Sequence, residues 1–194
     1  TTVQEVKGST PVFFGSGNQN AIYADHYENR GLNGSRAQIH IDDVVFPVEI
    51  PLPGEHMLYD ALAAAAVGAF FGLTPTQIQE GIQAVEAVDG RSHVMHTSHY
   101  TLIDDCYNAN PVSVKAALDL LSMTNNSDKN TRKVAILGDM FELGAEEEAL
   151  HREVGVYAAQ KGLDVVICVG KLCKNMFDGA QSVSCVYTTC YYFV

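Results

Sequence analysis

Basic residues are scarce in this sequence. Twelve Lys and Arg stand against 23 Asp and Glu, for a formal net charge of -11. A partner that is read through its phosphate backbone calls for a basic face, so nucleic acid is not an expected partner. Nucleotides stay open, because backbone N–H groups and a few placed cations can hold a phosphate locally. Long apolar runs are missing too. The longest, around residues 61–71, falls short of the roughly 18 residues of a membrane helix. The first ten residues, TTVQEVKGST, have neither a basic start nor an apolar stretch, so no signal peptide is expected. The five cysteines (Cys106, Cys168, Cys173, Cys185, Cys190) form no CxxC pair; free thiols in a reducing cytoplasm are the expectation. Nucleophile and phosphate motifs are lacking as well. There is no GxxxxGK[ST], no GxSxG and no HExxH, and Gly170-Lys171 lacks the context of a phosphate loop.

What is present is a foldable chain. Its 194 residues suit one large domain or two small ones. Hydrophobic residues make up 47% and charged residues 18%, which predicts a packed core. Residues 36–41 and 44–50 read as two strands joined at Asp42-Asp43, and Pro51 and Pro53 end the hairpin. HMLYDALAAAAVGAFFGL reads as a helix closed by Gly72. Its apolar positions fall all round, which predicts burial between layers. Thr74-Pro75-Thr76-Gln77 opens a second helix, with Thr74 as cap and Gln77 at the capping-box position. From about residue 99 the pattern becomes strand–helix–strand–helix–strand: YTLID, VSVKAALDLLSM, RKVAILGDM, the helix around His151, and DVVICVG. That alternation predicts an α/β fold with a mostly parallel sheet. Residues 122–132 read as a polar surface loop, and SVSCVYTTCYYFV as strand-like. The domain division is expected near 90–99.

Ligands of an open α/β sheet bind outside the carboxyl ends of its strands. Two such ends carry polar chemistry. The first holds Asp104, Asp105, Tyr107, Asn108 and Asn110, with Pro111 at a helix start. Taken alone it reads first as a helix cap with a tied-down loop, and second as a site. The second, LGDMFELG, holds Asp139 and Glu142 before an acidic run and His151. It is either an ordinary link with an acidic first turn or a ligand loop. His56 lies at a helix start, and Arg91 in a turn where a guanidinium could grip a phosphate. His93, His96 and His99 repeat at a spacing of three. They lead into a strand, where such positions face opposite ways, so no metal site is expected.

Together these strings resemble one family. LPGEHMLYDALAAAAVGAFFGL resembles the helix near the end of the central domain of Mur ligases, and Gly90-Arg91 the turn before their last domain. DDCYNANPVSVKAAL and ILGDMFELG, with the acidic run and His151, look like the subgroup of that family that adds D-alanyl-D-alanine. The resemblance covers residues 10–180, and DDxYNANP with LGDMxELG is its most specific part.

The resemblance implies a three-domain enzyme that uses ATP and Mg2+. It would join D-alanyl-D-alanine to UDP-N-acetylmuramoyl-tripeptide through an acyl phosphate, in peptidoglycan biosynthesis. A cytoplasmic protein, monomeric when full length, is implied with it. Residues 1–92 would be the end of the central ATP-binding domain and 93–194 an incomplete Rossmann-like last domain. The phosphate loop and most Mg2+ ligands would lie upstream, so the isolated chain is expected to be inactive. His56 and Asp60 would lie on the adenine side, Arg91 near the ATP phosphates and Asp105 at the ribose. Tyr107, Asn108 and Asn110 would line the pocket of the incoming amine. Asp104, Asp139 and Glu142 are candidates by position. One departure is chemical: the family pattern His-Asn-x-x-Asn is His56-Met57-Leu58-Tyr59-Asp60 here, an ionised acceptor in place of an amide. Two other classes stay open, an amide ligase of folylpolyglutamate or cyanophycin type and a non-catalytic α/β binding module.

Overall fold

The computed structural model describes residue 8 and residues 11–124, 131–184 and 187–194. The N-terminal stretch read against a signal peptide, Cys185, and the middle of the polar loop at 122–132 lie outside the described residues, wholly or in large part. The chain forms two compact units that meet between Glu86 and Ala87.

In the first unit four strands form one sheet in chain order: β1 (Phe14–Gly15), β2 (Ile22–Asn29), β3 (Ser35–Ile41) and β4 (Val44–Ile50). β1 pairs with β2 in parallel and the others are antiparallel. The expected hairpin is β3–β4, with Ile41 opposite Val44. Asp42 turns the chain at φ 50°, a conformation that Asp tolerates better than most residues. Pro47 sits within β4, which is an edge strand, where a missing N–H costs no ladder bond.

α1 (His56–Phe70) ends in a Schellman arrangement. Gly72 N–H donates to Ala69 O and Leu73 N–H to Gly68 O, both at 3.0 Å, with Gly72 at φ 77°. α2 (Pro75–Gln83) has the predicted capping box between Thr74 and Gln77. The expectation of all-round burial for α1 does not hold. Leu58, Ala61, Leu62, Ala65 and Gly68 form one buried stripe, while Tyr59, Val67 and Phe70 are exposed. An alanine-rich helix is apolar on every side, so composition alone hides which side meets the sheet. The core here joins that stripe to Ile22, Ala37, Ile39, Phe46, Val48 and Ile50 of the sheet and to Ile78 and Ile82 of α2.

In the second unit β5 (His93–His96) and β6 (Thr101–Asp104) form an antiparallel ribbon. β6 is the YTLID run expected in the parallel sheet; its described partner is instead the neighbouring β5. A short local hairpin pairing is reached with a far smaller loop closure than a crossover. α3 (Pro111–Met123) leads to a parallel sheet of β7 (Val134–Gly138), β8 (Val165–Val169) and β9 (Thr189–Phe193), in that order. α4 (Glu147–Gln160) and α5 (Cys173–Gln181) are the two crossovers. They bury Ala135, Val166 and Cys168 under Val154, Ala158, Cys173 and Met176. The alternate strand residues Ile136, Val169, Tyr191 and Phe193 are exposed. The fold is therefore α/β with a parallel sheet, as the alternation predicts.

Two glycines let α4 and α5 touch backbone to backbone. A Cβ on Gly155 would lie 1.8 Å from Met176 O, and one on Gly179 would lie 2.2 Å from Arg152 O. The division at 86/87 falls six residues before the expected 92/93, because Gly90 and Ser92 are bonded into the second unit.

Candidate functional site

The end of β6 and the turn before β5 form one clasp. Tyr107 N–H donates to Gly90 O at 3.0 Å. Ser92 donates twice to Asp105 Oδ1, from its N–H at 2.8 Å and from its Oγ at 3.3 Å. Gly90 is required there on two counts. Its φ is 74°, and a Cβ would lie 3.1 Å from both Tyr107 Cβ and Tyr107 N. Ser92 is buried at φ 47°, a strained position for a serine that its two bonds to Asp105 hold. Between these anchors stands Arg91, whose guanidinium lies 4.4 Å over the Tyr107 ring. Arg91 and Tyr107 are both exposed. Sequence reading missed Ser92; its only signal was a small polar residue following Gly-Arg.

Downstream, the loop becomes the start of α3. Asn110 Oδ1 accepts from Val112 N–H and Ser113 N–H, and Ser113 Oγ accepts from Asn110 N–H. The helix-cap reading of Asn110 is therefore realised. The cap occupies the oxygen, so the amide NH2 is what a ligand would meet. Asn108 Oδ1 accepts from Ala109 N–H in the same manner. Asp104 Oδ1 accepts from Cys106 N–H, and the Cys106 thiol bonded to it holds this carboxyl below the usual range. The same contact pushes the Cys106 thiol up.

The β7 end is built differently. Asp139 Oδ1 accepts from Cys173 N–H at 2.8 Å, so it caps α5 from a neighbouring strand. Its carboxylate lies against Gly170, where an added Cβ would come within 2.4 Å of Oδ1. His151 is fully buried; its Nε2 accepts from Met140 N–H at 2.9 Å and its Nδ1 lies 2.7 Å from Glu147 O. An accepting Nε2 places the ring proton on Nδ1, where it donates to Glu147 O. Glu142 is exposed at φ 62°.

The candidates thus fall into three groups. Arg91, Asp104, Asp105, Tyr107, Asn108 and Asn110 share the clasp and the start of α3. Asp139 and Glu142 share the loop after β7, and among the described residues no hydrogen bond or ion pair joins them to the clasp. His56 and Asp60 lie in the first unit, exposed and one turn apart on α1. Among the described residues no three His, Cys, Asp or Glu converge to hold a metal ion. The magnesium that the resemblance implies therefore finds no such group among the described residues. His93, His96 and His99 form no such group: His93 lies by Asp89 and His96 by Thr101. Cys106, Cys168 and Cys173 are free thiols, as expected. Burial pushes those of Cys168 and Cys173 up to about 12. No helix among the described residues is long and apolar enough to cross a membrane.

The profile described as "Mur ligase, glutamate ligase domain" matches residues 90–190. The UDP-N-acetylmuramoyl-tripeptide–D-alanyl-D-alanine ligase of Bacillus subtilis is 37% identical over 132 residues, 68% of this chain and 28% of the relative. The enzyme of the same name from Escherichia coli is 42% identical over 64% of this chain and 26% of its own length. A crystal structure of MurF from Acinetobacter baumannii superposes with a TM-score of 0.81 at 27% identity, covering 93% of this chain and 37% of that one. The chain therefore spans under a third of the length of these two curated relatives.

Proposed function

The chain belongs to the Mur ligase family, and we propose that it forms part of an ATP-dependent amide ligase that joins D-alanyl-D-alanine to UDP-N-acetylmuramoyl-tripeptide. ATP phosphorylates the tripeptide carboxylate and leaves as ADP. The dipeptide amine attacks the acyl phosphate, a tetrahedral intermediate forms, and phosphate departs as the amide is made. The first unit, to Glu86, serves as the end of the central domain and the second, from Ala87, as the last domain, in a cytoplasmic enzyme of peptidoglycan synthesis that works as a monomer. Relatives at 37% and 42% identity that carry this enzyme's name support it over a folylpolyglutamate-type ligase.

The observation that carries the reading is the clasp. It puts a guanidinium, a carboxylate and two amides at one strand end, where the carboxylate and both amides each use one oxygen to hold the fold. Arg91 meets the ATP phosphates, and Asp105 meets the ribose through its second oxygen. Asn108 and Asn110 offer N–H donors to carbonyl or carboxylate oxygens of the incoming dipeptide. His56 and Asp60, on α1 of the first unit, are candidates for an adenine. Positioning and charge stabilisation are what such groups contribute to acyl transfer. The isolated chain, with no phosphate loop of its own, turns over no ATP.

The test is ATP-dependent ligation by the full ligase carrying Arg91→Ala or Asp105→Ala. Both should raise the KM for ATP by about tenfold or more, as the loss of a charge-assisted contact does. Unchanged ATP kinetics in both variants would sink the site assignment. Ligation by the chain alone would sink the reading of it as one part of a larger catalyst.

A further inference from the structure

Arg91 is held in an unusual way for an exposed side chain. Among the described residues no carboxylate pairs with it. Instead its neighbours on both sides are pinned: Gly90 O accepts from Tyr107 N–H, and Ser92 is bonded twice to Asp105. Its head rests on the Tyr107 ring at 4.4 Å. A free arginine must lose the freedom of four side-chain torsions when it grips an anion, and that loss weakens binding. Stacking removes part of that freedom beforehand. Among the described residues no oxygen accepts from the guanidinium, so its five N–H donors stay available for a ligand.

We propose that Tyr107 is a positioning residue: its ring pre-orients the Arg91 guanidinium, edge outward, for the phosphate groups of a nucleoside triphosphate. The proposal deepens the functional reading above and rests on Arg91 meeting those phosphates. It gives Tyr107 a different task from lining the pocket of the incoming amine. The tyrosine hydroxyl has no part in it. The ring is what matters, and the main-chain bond from Tyr107 to Gly90 fixes the ring's distance from the arginine whatever the side chain carries.

The experiment uses the full ligase with Tyr107→Phe, Tyr107→Leu, Arg91→Ala and the Tyr107→Leu/Arg91→Ala double variant. The KM for ATP, the KM for D-alanyl-D-alanine and kcat are measured for each. Tyr107→Leu should raise the KM for ATP about threefold to tenfold, the size of a lost cation–π contact, and move the dipeptide KM less than about twofold. Tyr107→Phe should restore the ATP value. In the double variant the leucine should add nothing to the effect of Arg91→Ala, as for two residues acting as one unit. An unmoved ATP KM in Tyr107→Leu, beside a raised one in Arg91→Ala, overturns the positioning role and leaves the phosphate reading standing. An unmoved ATP KM in Arg91→Ala removes the phosphate reading, and the proposal with it. A raised dipeptide KM in both tyrosine variants, at constant ATP KM, makes Tyr107 a substrate contact and overturns the proposal. Should the leucine variant misfold, Tyr107→Met, which removes the ring but keeps apolar bulk, takes its place on the same criteria.

Discussion

Met140 N–H donates to the Nε2 of His151 across a fully buried contact of 2.9 Å. This one bond fixes the loop after β7 onto α4. Replacing His151 by Ala or Phe would strand a buried N–H, at a cost of about 1–3 kcal/mol. We expect the urea midpoint to fall accordingly. Amide exchange at Met140 should speed up more than exchange in β8. Equal loss of protection throughout the second unit would show that the histidine supports the core rather than the loop.

Asn110 has two separable parts, an oxygen that caps α3 and an amide NH2 that the cap does not use. Asn110→Ala should cost about 1 kcal/mol of stability by removing the cap. Asn110→Asp keeps the capping oxygen and loses the donors, so its thermal midpoint should stay near the parent value. If the donors meet the dipeptide, this variant should still raise the KM for D-alanyl-D-alanine in the full ligase. An unaltered KM would confine Asn110 to the cap.

The thiols should rank by environment. Burial pushes Cys168 and Cys173 up to about 12, so they should resist a thiol reagent at pH 8 in the native protein. Cys106 is exposed, but the Asp104 carboxylate pushes its thiol up as well. A raised thiol carries less thiolate at a given pH, so removing the carboxylate should increase reactivity. Asp104→Asn should therefore label faster at Cys106 than the parent at pH 8. No acceleration would mean that access, not charge, limits Cys106.

Gly155 and Gly179 admit no side chain without moving backbone, since the nearest atoms are the main-chain oxygens of Met176 and Arg152. Gly155→Ala should destabilise the second unit by about 1–3 kcal/mol through overpacking, despite alanine's better helix propensity. A rise in the denaturation midpoint would contradict that close approach.

Local chemistry was legible in the sequence where one residue decides a short stretch. Thr74 with Gln77, the Asp42-Asp43 hairpin and the glycine stop after α1 all stand as read. Relationships between distant segments were not. Nothing in YTLID distinguishes a strand that pairs with β5 from one that joins the parallel sheet, because a short apolar run suits either. Alanine concealed the buried stripe of α1. At the site the residue types were readable but their partners were not. Asp139, a candidate by position alone, caps a helix 34 residues away with one oxygen, while Ser92, silent in the sequence, is what Asp105 holds.

The clasp also sets rules for cutting and splicing this protein. A chimera joined at 92/93 would take Gly90 and Ser92 from one parent and Tyr107 and Asp105 from another, so each bond would have to form between segments never matched to each other. A join at 86/87 carries both sides of the clasp together. The unit that can be exchanged between relatives thus begins ahead of the Gly-Arg turn, and that turn travels with the strand end it holds.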